Sequence, residues 1–198
     1  MVFPFLKTRK SPIWNRIAED DSTRLRLKYD TYYHIFEKQQ GTRVYKDGRE
    51  YVMLSSNDYL GLSQHPKIKE YGKKAIEEWG SSTTGARLAN GGRIFHQELE
   101  EKLAAFLGKE ACHVFSAGYL GCASSVTGFA ERKPVIFANK NLHSSLWSGI
   151  KLSGARCERF SHNNPAHLSE ILHEEEEETT KLFVLEGVYS MEGHLSLI

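Results

Sequence analysis

The feature that most constrains the fold is a regular alternation of helix-type and strand-type segments from residue 66 onwards. Strands and helices that alternate in this way pack as a parallel sheet covered by helices, and the strand at residues 135–137 is apolar throughout, as in strands buried on both faces. The sequence therefore predicts an α/β fold with a parallel-type sheet. Helices are predicted at residues 66–79, 95–107, 118–130, 144–152 and 165–173, and strands at 111–115, 134–138, 156–160 and 182–185.

The first 60 residues have a different pattern. A loosely apolar helical periodicity covers residues 20–39, and two β-rich runs then flank Asp47-Gly48, which is a strong hairpin signal. Residues 55–62 follow as a loop. We therefore predict an N-terminal arm with a helix and a hairpin over residues 1–60, and a larger α/β domain over residues 61–198. No repeat or linker indicates two independent domains.

Composition excludes several functional classes. The net charge of +1, from 26 basic and 25 acidic residues, does not favour nucleic acid or a membrane surface as a partner. No apolar run approaches the roughly 18 residues of a membrane span, and no secretory signal follows the basic start, so a cytoplasmic location is expected. Cys112, Cys122 and Cys157 lack metal-ligand spacing and are predicted to be free buried thiols, without a metal site. The glutamate run 174–178 predicts a solvated helix end or loop.

Residues 115–121 could bind a phosphate. A predicted strand ends here, a turn of small residues follows, and a helix begins at Gly118. Free N–H groups and the helix dipole favour an anion at such a point, and glycine allows close approach to the backbone. The alternative is an ordinary tight turn, since the motifs of P-loops and dinucleotide sites are absent.

His143 and Glu186 each follow a predicted strand, at the sheet edge where α/β proteins bind ligands. An imidazole there could stack on a flat ring or transfer a proton, and the carboxylate could join a hydrogen-bond network. Arg87, in the glycine-rich loop at residues 80–92, could pair with a carboxylate or phosphate. Taken singly, a structural histidine, a solvated carboxylate and a flexible linker remain open alternatives.

Together and in order, these segments resemble the α-oxoamine synthases, a family of fold type I pyridoxal-phosphate (PLP) enzymes with an aspartate-aminotransferase-like large domain. The resemblance covers about residues 40–198 and implies that residues 61–198 are part of the PLP-binding large domain. The stretches that carry it are residues 55–62, 85–91, 96–100, 116–119, 143 and 186–193.

The resemblance implies a reaction and a set of functional residues. The family condenses a small amino acid with an acyl thioester of CoA or acyl carrier protein, with decarboxylation, to an α-amino ketone. His143 would stack on the cofactor ring and act in catalysis, while Asn57 and Arg87 would bind substrate. The residues implied to bind the cofactor are Ser116, Gly118, Tyr119, His143, Glu186 and Ser190.

Some family residues are changed or lie beyond Ile198. Asn139 replaces the usual Asp, Ser144 an Ala, and Glu192 an Asp. The Schiff-base lysine, the Asp that pairs with the pyridine nitrogen and its nearby His lie further downstream in the family. A parallel sheet that ended here would also leave an edge strand bare. We therefore expect an N-terminal fragment, inactive alone, of an enzyme that is a homodimer at full length.

Three other functions remain open. A chain without the lysine could be the non-catalytic partner subunit of a heteromeric synthase. A PLP-dependent aminotransferase would share the large domain, and an unrelated α/β binding module is also possible. The identities of the amino acid and the acyl group are not readable from these residues.

Overall fold

A computed structural model of the chain describes residues 12–27, 34–132 and 134–197. They form two compact units, one ending at Gly91 and the other beginning at Gly92. This spatial division says nothing about which residues belong to the cofactor-binding domain. The predicted division into residues 1–60 and 61–198 therefore stays a prediction.

The first unit contains two helices and a small antiparallel sheet. Asp47 (φ 50°) and Gly48 (φ 69°) both adopt positive φ, as a two-residue hairpin turn requires, so the predicted hairpin is confirmed. The elements are α1 (Pro12–Leu27), β1 (Lys38–Gln40), β2 (Arg43–Lys46), β3 (Arg49–Val52) and α2 (Pro66–Trp79).

The helix predicted at residues 20–39 is wrong at residues 34–39. Helix α1 ends at Leu27, and residues 28–33 lie outside the described part of the chain. Residues 38–40 instead pair antiparallel with β2, where Gln39 lies opposite Val44. Backbone pairing in the hairpin outweighs the weak helical periodicity of this segment.

The second unit is a three-stranded parallel sheet covered by helices on both faces. The strand order is β5-β4-β6, which confirms the predicted α/β class with a parallel sheet. Its elements are α3 (Ile94–Leu107), α4 (Gly118–Phe129), β4 (Val135–Asn139), α5 (Ser144–Ser153), β5 (Cys157–Phe160), α6 (Pro165–His173), β6 (Lys181–Val184), β7 (Val188–Tyr189) and β8 (His194–Leu195).

The central strand β4 explains this arrangement, because all five of its residues are buried. Ile136 and Ala138 pack into a cluster with residues of α4 and α5, while Val135 and Phe137 pack with residues of α6 on the opposite face. Full burial of a side chain such as Phe137 stabilises the fold by about 1.5–3 kcal/mol. The apolar run of β4 therefore holds helices on both sides of the sheet.

Helices α4 and α5 approach each other closely at Gly149. A Cβ atom added there would lie 2.6 Å from the carbonyl oxygen of Ala123 and 2.9 Å from Cβ of Val126. The two backbones can therefore be this close only because residue 149 has no side chain. Since α4 starts at Gly118 and α5 directly after His143, this contact also fixes how the two helix N-termini lie relative to each other.

Two secondary-structure predictions in this unit need correction. Residues 111–115 form no strand: the backbone N–H of Val114 donates to Oε1 of Glu100 (2.8 Å), and none of the described strands pairs with the segment. The segment after β6, for which no strand is predicted, contains the antiparallel ribbon β7–β8. In both places the outcome depends on hydrogen-bond partners outside the segment: a side chain of α3 for residues 111–115, and the facing strand for the ribbon.

Two side-chain predictions were also wrong in part. All three cysteines are free, but Cys122 is exposed and the other two are only half-buried. Cys122 lines an open cleft beside α4 and β6, which leaves its thiol accessible. In the glutamate run, Glu175 is half-buried and pairs with Arg156, whereas its four neighbours are solvated as predicted.

Candidate functional site

The N-terminus of α4 is open to solvent. Its N-cap residue Ala117 is extended (φ −152°, ψ 144°), and no side chain caps the helix. The first N–H groups of the helix, at Gly118, Tyr119 and Leu120, have no acceptor within the helix. A Cβ atom at Gly118 would meet no atom within 4 Å, and Ser116 is exposed just before the cap. This arrangement suits an anion.

Tyr119 connects α4 to α5. Its hydroxyl lies 2.6 Å from Oγ of Ser148 in α5. Its ring meets the imidazole of His143 edge-on, with centroids 6.5 Å apart and planes at 74°. The open helix terminus and His143 therefore belong to one surface.

His143 is the N-cap of α5, and its ring direction is fixed by the first turn of that helix. Nδ1 accepts a hydrogen bond from the backbone N–H of Ser145 (3.2 Å) and lies 2.7 Å from Oγ of the same residue, which is buried. Because Nδ1 accepts, the neutral imidazole carries its proton on Nε2. The side chain is otherwise exposed, so a flat group could pack on it.

Glu186 follows β6, and its carboxylate accepts a hydrogen bond from the backbone N–H of His143. Parallel pairing of Ala138 with Val184 brings the two strand ends together, so that His143 and Glu186 meet although they are 43 residues apart in sequence. His143 and Glu186 therefore share the carboxyl edge of the sheet, as their positions after two strands indicate.

Three further residues are implied to belong to the site, and each is described here by itself. Ser190 is exposed in the turn of the ribbon, and its side chain makes no hydrogen bond within the described residues. Asn57 is exposed and Arg87 is half-buried, and both belong to the first unit. Their functional roles stay predictions.

A second polar group at the same edge was not singled out from the sequence. The Nδ1 atom of His162, just after β5, lies 3.1 Å from Oδ1 of Asn139, and its Nε2 lies 3.0 Å from Nδ1 of His194. Its position in the sequence could have indicated it, because His162 follows β5 just as His143 follows β4. Nearby, Asn141 Nδ2 donates to Glu192 Oε1 at 2.7 Å.

Two lysines of the second unit are placed differently: Lys181 lies away from this group, whereas Lys140 directly follows Asn139. Lys181 is the first residue of β6, at the opposite end of the strand from Glu186, and its Nζ donates to the carbonyl oxygens of Glu176, Glu177 and Thr179. Lys140 is exposed. Over the described ranges, no cluster of three histidine, cysteine or acidic residues is arranged to hold a metal ion. None of the helices described there has both the length and the apolar character to cross a membrane.

Comparisons with solved structures identify the fold. A solved serine palmitoyltransferase of Sphingomonas wittichii superposes with a TM-score of 0.87 at 33% identity, covering 92% of this chain and 46% of that one. A serine palmitoyltransferase of S. paucimobilis with a bound PLP–myriocin aldimine gives a TM-score of 0.89 at 29% identity, covering 93% and 47%. The fold is therefore that of fold type I PLP-dependent transferases.

Sequence comparison gives a consistent result. The 8-amino-7-oxononanoate synthase of Chromobacterium violaceum is 40% identical over 157 residues, which are 79% of this chain and 41% of that protein. The chain thus spans about two-fifths of the length of the curated relatives it matches. The family model described as aminotransferase class I and II matches residues 49–196. On this match the chain belongs to the class I and II aminotransferase family, a family of enzymes.

Proposed function

We propose that this chain forms the phosphate-binding turn and one ring contact of a PLP-dependent C-acyltransferase. The enzyme would condense a small amino acid with an acyl thioester of CoA or acyl carrier protein, and release CO₂, to give an α-amino ketone. The observation that carries the proposal is the hydrogen bond between His143 and Glu186, beside the open N-terminus of α4. The names of the similar synthases and palmitoyltransferases support this reaction class.

The residues present fit the cofactor chemically. The uncapped N–H groups at Gly118 and Tyr119 would bind the phosphate, and Ser116 could add a hydroxyl donor. Bound PLP supplies an electron-withdrawing ring that stabilises negative charge at the amino acid Cα. The exposed His143 ring would pack on one face of that ring and shield it from water.

His143 would also help orient the substrate. With Nδ1 accepting from Ser145, its Nε2–H is left as a donor toward a substrate oxygen. Glu186 holds the backbone of His143 and so keeps the imidazole at the sheet edge. Ser190, Asn57 and Arg87 would complete the cofactor-side and substrate-side contacts.

The main alternatives differ in the reaction they predict. An aminotransferase would transfer the amino group to an oxo-acid, whereas the proposed enzyme needs a thioester. A partner subunit would increase activity only together with a catalytic homologue. The Nζ atom of Lys181 donates hydrogen bonds to backbone carbonyl oxygens, which supports the expectation that this chain does not attach PLP covalently. The homodimer and the cytoplasmic location stay predictions.

The phosphate contact can be tested by placing a charge at the helix terminus. Gly118→Asp would set a carboxylate in the open space before α4, and a carboxylate there is compatible with the helix. Gly118→Asn is the matched uncharged control. We expect Gly118→Asp to weaken PLP binding by about tenfold, or about 1.4 kcal/mol, measured by calorimetric titration. Gly118→Asn should weaken it much less.

Two further ligands make the result specific. Pyridoxal, which lacks the phosphate, should bind more weakly than PLP to the wild-type chain and should not distinguish the two variants. Equal affinity for PLP and pyridoxal would contradict the assignment of phosphate binding to this turn. Borohydride reduction that fixed PLP to one particular lysine would contradict the assignment of non-covalent binding.

A further inference from the structure

His162 joins three elements at the carboxyl edge of the sheet. Its Nδ1 lies 3.1 Å from Oδ1 of Asn139, the last residue of β4. Its Nε2 lies 3.0 Å from Nδ1 of His194 in β8. Its ring meets the ring of Tyr189 in β7 at 90°, with centroids 4.5 Å apart. One side chain thus connects the end of β4 with both strands of the ribbon β7–β8.

These hydrogen bonds run in one direction. The Oδ1 atom of Asn139 also accepts from the backbone N–H of Asn141 at 3.0 Å, which orients the amide so that His162 Nδ1 must donate to it. A neutral His162 then accepts at Nε2, so His194 donates from Nδ1. The ribbon is therefore bonded through His162 to the turn that leads to His143.

The contacts of His162 with Asn139 and Tyr189 are the buried part of this junction, because both partners are 0% exposed. The hydrogen bonds between His162 and His194 and between Asn141 and Glu192 are exposed to competing water. Nδ2 of Asn139 is buried without a partner among the described residues. An unsatisfied donor costs about 1–3 kcal/mol, which an apolar residue of similar size would avoid. The amide of Asn139 is therefore better explained by its oxygen, which accepts hydrogen bonds from both His162 and Asn141.

We propose that His162 is a positioning residue for the site. By holding the ribbon on the end of β4, it keeps the Glu186 carboxylate, which lies two residues before the ribbon, on the backbone N–H of His143. The position of His143 at the sheet edge therefore depends on a residue that does not touch the cofactor. The consequence for cofactor binding rests on the proposed function. The effect of His162 on the bond between Glu186 and His143 concerns the chain alone.

Two substitutions separate packing from hydrogen bonding. His162→Phe keeps an aromatic ring against Tyr189 and removes both hydrogen bonds. His162→Gln retains an N–H for Asn139 and an oxygen that can accept from His194. His173→Phe is the matched control, because His173 is an exposed histidine that bonds only within α6.

The readout is amide hydrogen exchange followed by NMR, together with the dissociation constant for PLP. In His162→Phe we expect the His143 amide to exchange about tenfold faster, while the Ile136 amide in β4 exchanges as in the wild type. The PLP dissociation constant should rise about tenfold, because both hydrogen bonds of His162 are lost. His162→Gln and His173→Phe should stay near wild type in both measurements.

Three results would overturn the proposal. The first is an unchanged exchange rate of the His143 amide in His162→Phe. The second is an equal increase in the exchange rate of the Ile136 amide, which indicates general destabilisation. The third is a His143 exchange rate in His162→Gln that stays above the wild-type rate. A wild-type chain that does not bind PLP would refute the proposed function instead. The exchange rates would still decide whether His162 holds Glu186 on His143.

Discussion

Gly149→Ala tests whether the close approach of α4 and α5 builds the site. The added Cβ would lie 2.6 Å from a backbone oxygen of Ala123 and 2.9 Å from Cβ of Val126. A backbone atom cannot move aside as a flexible side chain can, so the helices themselves must separate. Their separation would also move Gly118 away from His143, because each helix starts at the site.

The magnitude follows from two opposing contributions. Overpacking costs about 1–3 kcal/mol, and a clash with backbone belongs at the upper end, about 3 kcal/mol. Replacing a helical glycine by alanine stabilises a helix by about 1 kcal/mol. We therefore expect Gly149→Ala to lower the free energy of unfolding by about 2 kcal/mol. Gly128→Ala in α4, where a Cβ meets no atom within 4 Å, should raise it by about 0.5–1 kcal/mol.

Urea unfolding of the two variants measures this difference. At a shared m-value, the midpoint of Gly149→Ala should fall and that of Gly128→Ala should rise. PLP affinity should decrease only in Gly149→Ala. Wild-type stability in Gly149→Ala would refute the reasoning, because it would mean that the interface can accommodate a methyl group without cost.

Three further predictions concern local contacts. The hydroxyl of Ser63 donates to Asp58 and lowers the pKa of that carboxyl group, so Ser63→Ala should raise the Asp58 pKa toward 3.8 in an NMR titration. The stabilisation from this bond is present at neutral pH and is lost as the pH falls through the lowered pKa. Burial raises the pKa of the Cys157 thiol, so iodoacetamide at pH 8 should modify the exposed Cys122 first, and peptide mapping that finds the reverse order would contradict this. Asn164→Ala removes the side-chain cap of α6 and should lower the free energy of unfolding by about 1 kcal/mol in urea titrations.

Local signals predicted most of the second unit correctly. Asn164 and Pro165 mark the start of α6, and Gly108 ends α3 in the left-handed conformation (φ 62°), as is typical of a glycine that follows a helix. The apolar run of β4 correctly predicted a strand buried on both faces. These features depend on neighbours within a few residues, which the sequence displays directly.

The errors occur where pairing with another segment, rather than the pattern of the segment itself, decides the structure. Residues 38–40 carry a helical pattern but pair with β2, while residues 111–115 carry a strand pattern but find no strand to pair with in the described chain. The position of His143 and Glu186 at one edge was predictable from strand order. The hydrogen bonds of His162 were not, because its partners His194 and Asn139 lie 32 and 23 residues away.

The hydrogen bond between His143 and Glu186 also has a consequence for the order of folding. It joins residues 43 positions apart and can form only after β6 has paired with β4. Contacts of such sequence separation form late, because the intervening chain must be ordered first. The backbone hydrogen bonds of helix α4 and of the turn before it are local and precede β4 in the chain, although α4 later packs on α5. During synthesis, the turn that we propose to bind phosphate would therefore emerge before the part that holds the histidine in place.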